Sequence, residues 1–352
     1  MNWNSRSIRR YDPRLYFPRR RTQSRGLLVP LLVGGAAAVA GALAARAVIR
    51  SKRYYDLAGK VVLVTGSSRG LGFELARRLL ARGAHVVVCA RHEAELREAQ
   101  EKLLGERRSP EGSVLAIPCD VTDEDQVDAM VSQVQSTLGR IDVLVNNAGT
   151  IAVGPAETMT PADYQEALQT HLHGPLRLTL AVLPAMRRRK QGRIVNITSI
   201  GGKTPAPHLL PYTVSKFALV GFSEGLRTEA AQDNVFVTTV VPGLFRSGGF
   251  RHAWFKGQDE KEFAWFSTAD NLPVLTASVD RMADKVIDAL IHGDAELIYP
   301  RVASLQARLH GLFPGLSTEV ATLVNGLLPD AGGIGKRRSQ GFESEKRAGS
   351  SS

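Results

Sequence analysis

The chain has 352 residues, room for two domains or three at most. With 43% hydrophobic and 22% charged residues, wholesale disorder and fibrous repeats are excluded, and two cysteines exclude a disulfide framework or a four-thiolate metal site. The net charge of +11 sits entirely in residues 1–53, with twelve Lys/Arg against Asp12, while the remainder balances 33 basic and 33 acidic residues; no nucleic-acid partner is expected.

Residues 1–25 carry eight arginines among prolines and polar residues and read as a solvated, disordered arm. Residues 27–45 then hold no charge and are closed by Arg46, Arg50, Lys52 and Arg53. As a helix, that run spans roughly 28 Å, close to a bilayer's apolar thickness. A single-pass transmembrane helix over 26–50 is therefore expected, and Gly34, Ala38 and Ala42 at every fourth position would allow close helix pairing. Two alternatives stay open. Arg20-Arg21 before the apolar run fits a twin-arginine export signal, although Thr22, Gln23 and Ser24 stand where apolar residues are preferred, and the Arg-rich, acid-poor composition fits an organellar transit peptide. The charge bias places the arm on the cytoplasmic side and the body across the membrane. The cations at 46–53 blunt that bias, and a cytoplasm-facing body is the expectation.

Beyond Gly59, apolar strands alternate with helices. Strands are predicted at 60–65, 84–90, 113–118, 141–146, 193–198, 235–241 and 295–299, and helices at 71–82, 92–104, 123–138, 160–189, 211–232 and 279–292. Continuous apolar strands between helices indicate a parallel sheet covered on both faces, an α/β doubly wound fold whose ligands bind beyond the strands' carboxyl ends.

Thr65-Gly66-Ser67-Ser68-Arg69-Gly70-Leu71-Gly72 follows the first strand and opens the first helix. Its glycines allow a tight turn and a close backbone approach to a phosphate seated on the helix N-terminus. The second strand ends without an acid, at Arg91, and Arg69 adds a second cation nearby. Two guanidiniums and no carboxylate suit a 2′-phosphate, so NADP is favoured, with NAD possible. Asn146-Asn147-Ala148-Gly149 ends the fourth strand. Ser199 precedes Tyr212 by thirteen residues, and Lys216 follows it by four, on one helical face. An ammonium there would lower the phenol's pKa.

Together these motifs resemble the short-chain dehydrogenase/reductase family over residues 57–300, with Asp120 and Pro242-Gly243 also matching. The resemblance implies a Rossmann-type catalytic domain that interconverts a carbonyl and an alcohol. Tyr212 would be general acid and base. Ser199 would bond the substrate oxygen, and Lys216 would bind the nicotinamide ribose. Gly66, Ser68, Arg69, Gly70, Leu71, Gly72 and Arg91 would hold the phosphates and Asp120 and Val121 the adenine, and Asn147, Ala148 and Gly149 would also bind the cofactor. Pro242, Gly243 and Ser247 would line the nicotinamide, with Ser247 where the family often has threonine. One position departs: three residues before Gly174, the family's relay asparagine is His171. Histidine donates and accepts, so a proton relay through it is expected. The rival reading is a scaffold that keeps the fold and the cofactor but has lost the chemistry.

Between Arg246 and Asn271 lie Phe250, Trp254, Phe255, Phe263, Trp265 and Phe266. They read either as a lid over a small lipophilic substrate or as a lid packing on its own core or on a second copy. Residues 301–330 form an apolar helical extension, with two short helices at 305–328 on the sheet edge or against a bilayer, and 331–352 read as a disordered tail. Cys89 and Cys119, at strand ends, read as small apolar residues in a reducing compartment. No metal is expected, and a homo-oligomer is.

Overall fold

The computed structural model describes residues 40–107, 111–246, 249–271 and 276–350. It divides into two units, 1–52 and 53–352. In the first, the described chain from 40 to 52 is helical and mostly exposed. The basic arm and the expected span up to 39 lie outside the described residues. Among the described residues, no helix is long and apolar enough to cross a membrane.

The second unit is built on seven parallel strands, β1 (Val61–Thr65), β2 (His85–Ala90), β3 (Val114–Pro118), β4 (Val143–Asn146), β5 (Gly192–Ile197), β6 (Val235–Pro242) and β7 (Glu296–Tyr299). Their spatial order is β7-β6-β5-β4-β1-β2-β3. The order reverses between β1 and β4, which opens the crevice where doubly wound sheets take ligands. Alternate residues of each strand serve opposite faces. Val62 and Val64 join the core made with helices α1 (Gly70–Leu80), α2 (Glu93–Gly105) and the later helix 279–292, while Val61 and Leu63 join the core on the other face. That second core rests on α3 (Glu124–Leu138), where Asp123 caps the N-terminus by accepting from the Gln126 amide at 3.1 Å.

The single helix predicted over 160–189 is corrected. It consists of α4 (Pro161–Leu168), a π-helical segment Gln169–His173, and α5 (Gly174–Arg188). Pro175 has no N–H for the carbonyl four residues earlier, that of His171, so the ladder shifts there. The Gly174 amide donates to Gln169 instead, five residues back. The remaining helices are α6 (Leu210–Ala230), α7 (Asp259–Asn271), α8 (Val279–His292), α9 (Arg301–Leu312), α10 (Pro314–Asn325) and α11 (Gly341–Ser350). Two short helices thus occupy the apolar extension.

The expected disordered tail is also corrected. Ser339–Gln340 pairs antiparallel with Trp254–Phe255, and buried Ser344 donates to Asp259 Oδ2 at 3.0 Å. Trp254–Phe255 pairs on its other side with Ala152–Val153, and its remaining edge supplies the backbone partners that this polar segment could not supply itself.

Candidate functional site

The glycine loop departs from the end of β1 and is tied on both sides. Thr65 Oγ1 accepts from the Asn147 and Ala148 amides at 3.0 and 3.1 Å, and Asn147 Nδ2 donates to the carbonyls of Thr65 and Gly66 at 2.9 and 3.0 Å. Ser67, which the motif leaves unassigned, donates to the Val64 carbonyl at 2.7 Å and accepts from the Cys89 amide at 2.9 Å. Asn147 therefore acts through the loop, its side-chain amide being used to hold the glycines. Gly66 has φ +62°, and a Cβ there would stand 2.7 Å from Ala148 Cα. A Cβ on Gly72 would meet the Gly66 carbonyl oxygen at 2.3 Å.

Around Gly70 (φ +58°) a Cβ would meet nothing within 4 Å, so the loop faces open space. The N-terminus of α1, with Ser68 and Arg69 before it and Leu71 in its first turn, carries neither a side-chain cap nor an acid. Its amides are left for an external anion, which fits a cofactor phosphate.

Arg69 and Arg91 both reach this region, but not as bare cations. Arg69 Nη1 is ion-paired with Glu95 Oε2, and Arg91 stands 4.0 Å from Asp120 Oδ2. The expectation of guanidiniums without a carboxylate is corrected, because the first turn of α2 brings Glu95 back over the loop. Asp120 is itself oriented by the Thr122 amide and hydroxyl at 2.9 and 2.8 Å. Val121 is buried beneath α5, where a Cβ on Gly174 would stand 3.0 Å from its carbonyl oxygen. Pro242 and Gly243 close the far side, with the Gly243 amide donating to the Tyr299 carbonyl at 2.8 Å. Ser247 lies outside the described residues.

Beyond β5, Ser199 Oγ accepts from the Gly201 amide at 3.1 Å. Across from it, α6 presents Tyr212 and, one turn on, Lys216, whose Nζ is 5.6 Å from the phenol ring centroid. Lys216 Nζ donates to the Ile197 carbonyl at 2.9 Å. Burial pushes its pKa from 10.5 down to about 7. Burial pushes the Tyr212 phenol up to about 12, and the hydrogen bond with Ser199 pulls the other way. The expected lowering of the phenol by the Lys216 ammonium is therefore not what the protein alone shows: burial raises the phenol and also disfavours the charged amine.

His171 is placed differently from expectation. Its ring is fully buried and meets the Tyr212 ring edge-on, with centroids 5.4 Å apart. Nε2 accepts from the Thr150 amide at 3.1 Å, which fixes the neutral tautomer with the proton on Nδ1. Nδ1–H then donates to Ser215 Oγ at 2.7 Å, and Ser215 donates to the Tyr212 carbonyl at 2.9 Å. Burial, and then the Lys216 charge, hold its pKa well below the usual histidine range. With both nitrogens engaged, the ring has no free position for a relay. It is a positioning residue that ties the Thr150 loop to α6, and Gly149 passes close against it: a Cβ there would stand 3.1 Å from Nε2.

Two features escaped sequence reasoning. A buried ladder runs Asn146 Nδ2 to Asn196 Oδ1 at 2.8 Å, Asn196 Nδ2 to Ser223 Oγ at 3.0 Å, and Ser223 to Thr239 at 2.7 Å, tying β4, β5, α6 and β6 beneath the site. The second is how the lid is held. Lys256 donates to Asp163 Oδ2 at 2.6 Å, a buried ion pair; burial opposes the carboxylate, but Lys256 and Thr160 hold the Asp163 pKa below its ordinary value. His208 Nδ1 meets Glu262 Oε1 at 2.8 Å, and Trp265 Nε1 donates to the same carboxylate at 2.6 Å.

Phe255, Phe263 and Phe266 are buried together, so most of the lid's aromatics form its own core. Trp254 instead faces a cleft with Tyr212, Thr150, Glu166 and Arg338. Arg338, from the tail, stacks over the Trp254 ring at 4.3 Å and pairs with Glu166 at 2.7 Å.

A dehydrogenase/reductase SDR family protein 7-like of Anopheles gambiae is 39% identical over 193 residues, 54% of this chain and 61% of that protein. A fatty acyl-CoA reductase of Acinetobacter baylyi is 35% identical over 194 residues, 54% of this chain and 64% of that protein. The chain thus matches less than two thirds of either relative. Among solved structures, L-sorbose reductase from Gluconobacter frateurii, complexed with NADPH and L-sorbose, is similar with a TM-score of 0.62 at 30% identity, over 70% of this chain and 97% of that one. Residues 60–257 match the short chain dehydrogenase family, and with the glycine loop, Ser199, Tyr212 and Lys216 brought to one crevice, the chain belongs to that family.

Proposed function

We propose that the protein is an NADP(H)-dependent oxidoreductase that interconverts a carbonyl and an alcohol on a small lipophilic substrate. The observation that carries this is the grouping of Tyr212, Ser199 and Lys216 beside an uncapped helix N-terminus with no acid in its first turn. The bound dinucleotide would supply or accept the hydride. Ser199 holds the substrate oxygen, and Tyr212 gives that oxygen a proton in reduction and takes one in oxidation. Lys216 would hold the nicotinamide ribose. The α1 N-terminus with Ser68, Gly70 and Leu71 would take the phosphates, and Arg69 and Arg91 the 2′-phosphate once Arg69 turns from Glu95. The NADPH complex of L-sorbose reductase supports the choice of cofactor.

The fatty acyl-CoA reductase relative supports a lipophilic substrate. The uncharged run 27–45 supports a single-pass N-terminal anchor with the body facing the cytoplasm. Exposed Leu180 on α5 and Val214 and Phe217 on α6 support a homo-oligomer. The rival scaffold reading keeps its one motive, since the His171 ring has no free nitrogen for a relay, and it stands against the full set of Ser199, Tyr212 and Lys216.

The test is Tyr212→Phe against a panel of long-chain ketones, sterols, ketoacyl thioesters and retinoid-like aldehydes, read by NADPH absorbance. Turnover should fall about 100-fold or more with cofactor affinity retained. Most of the activity surviving would overturn the mechanism, and tight NADPH binding with no wild-type turnover would favour the scaffold reading.

A further inference from the structure

The apolar extension after β7 exposes much of its apolar surface. On α9, Leu305, Leu309 and Leu312 fall on one stripe, and all are exposed. On α10, Leu316, Val320 and Leu323 repeat the pattern and no residue of the helix is buried, while Leu327, just past its end, is 86% exposed. Phe313, at the bend between them, is exposed as well, so the apolar surface continues over the tip. A water-facing helix pair with this surface leaves an apolar area of the kind that marks an interaction site.

Charge argues for what covers it. Residues 301–328 contain one acid, Glu319. Arg301 stands one turn before Leu305, and Arg308 one turn before Leu312, so both cations border the α9 stripe, while Glu319 borders the α10 stripe one turn before Leu323; the cationic rim is that of α9. Long cationic side chains at the edge of an apolar face keep their heads at an anionic headgroup layer while the face is buried. The same chain also carries the uncharged run 27–45 between arginine clusters, an independent sequence feature that favours lipid over a second protein.

Position gives the insertion a consequence. The α9 helix lies against the site: a Cβ on Gly243 would stand 2.8 Å from Ala303 Cβ, and Gln306 Nε2 donates to Thr204 Oγ1 at 3.0 Å, five residues past Ser199. We propose that the α9–α10 hairpin dips its apolar face into one leaflet of an anionic bilayer, setting the mouth of the Tyr212 cleft at the lipid surface so that substrate arrives from the membrane. The delivery route rests on the lipophilic-substrate reading; the insertion itself does not.

The test uses the full chain, purified in detergent and diluted onto phosphatidylcholine vesicles with and without phosphatidylserine. Single variants Leu316→Cys and Leu323→Cys, with Thr318→Cys on the polar face as control, are labelled with a water-sensitive dye; Cys89 and Cys119 are buried. Emission at 316 and 323 should shift to the blue and be quenched by acyl-chain nitroxides, more strongly with phosphatidylserine, while 318 changes little. Water-like emission at 316 and 323 on vesicle-bound protein would overturn the proposal, as would failure to bind vesicles. A blue shift without lipid that grows with protein concentration would assign the face to a second copy and equally overturn it. NADPH turnover of the same labelled proteins in detergent reports the reductase reading separately, and unchanged cofactor affinity shows that each variant is folded.

Discussion

Replacing Lys216 with methionine should stabilise the protein near neutral pH while removing its activity. The amine is buried, and its pKa falls from 10.5 to about 7 because burial disfavours the charged form. A depression of that size corresponds to about 5 kcal/mol between the protonation states. Below pH 7 the folded chain bears the whole cost. Between pH 7 and 10.5 the unfolded chain binds a proton that the folded chain does not, so stability rises with pH, at a slope approaching about 1.4 kcal/mol per unit. From pH 7 to pH 9 the wild type should therefore gain about 2 kcal/mol. Methionine keeps the unbranched shape without the charge and leaves the Ile197 carbonyl unpaired, a loss of about 1 kcal/mol. The variant should be the more stable by a few kcal/mol at pH 7, and the gap should narrow by about 2 kcal/mol at pH 9. Urea melts of both proteins at the two pH values read this directly, since groups shared by both cancel in the difference. A gap that stays constant across the interval would mean that Lys216 is not the titrating group, and the argument for a depleted ammonium would fail.

Glu95→Gln should release Arg69 and tighten NADPH about 1.4- to 5-fold, the worth of an exposed ion pair, while NADH is unmoved. Calorimetric titration of both cofactors decides it, and an equal change for both would show that Arg69 does not face the 2′-phosphate. His171→Ala strands the Thr150 amide and should cost about 2–4 kcal/mol in denaturant melts, whereas His171→Asn, which can still accept from that amide, should lose less. The folded His171 pKa is depressed, so the wild type should lose stability as pH falls below 6.5, and that slope should be shallower in His171→Asn. Ending the chain after Arg337 removes the stack on Trp254, the pair with Glu166 and the strand on Trp254–Phe255. The substrate KM should rise several-fold with NADPH affinity held; an unchanged KM would show that the tail does not shape the cleft.

What was legible in the sequence was what is local. The glycine loop, the four-residue step from Tyr212 to Lys216 and the alternation of apolar strands with helices depend on neighbours within a turn or a strand, and the structure repeats them. The groups that decide how those residues behave come from elsewhere in the chain. Glu95 lies 26 residues from Arg69, and the Ser215 that accepts the hydrogen bond from His171 is 44 residues away. Neither partner has a spacing that a periodic pattern could reveal. The tail failed for a related reason: composition measures whether a segment can bury its own apolar surface, but residues 339–340 draw order from an edge that exists only after the lid has folded. The Pro175 signal was the one that could have been read. A proline four residues after His171 removes one helical donor, and the ladder shifts there, although α5 continues across Pro184 without such a break. That shift falls on the segment carrying His171, beneath Tyr212, so a local backbone rule and the departure from the family pattern occupy the same turn. The substitution is then best understood through its hydrogen bonds: the ring fastens the loop after β4 to the helix bearing the phenol, and the proton chemistry rests with Tyr212, Ser199 and Lys216.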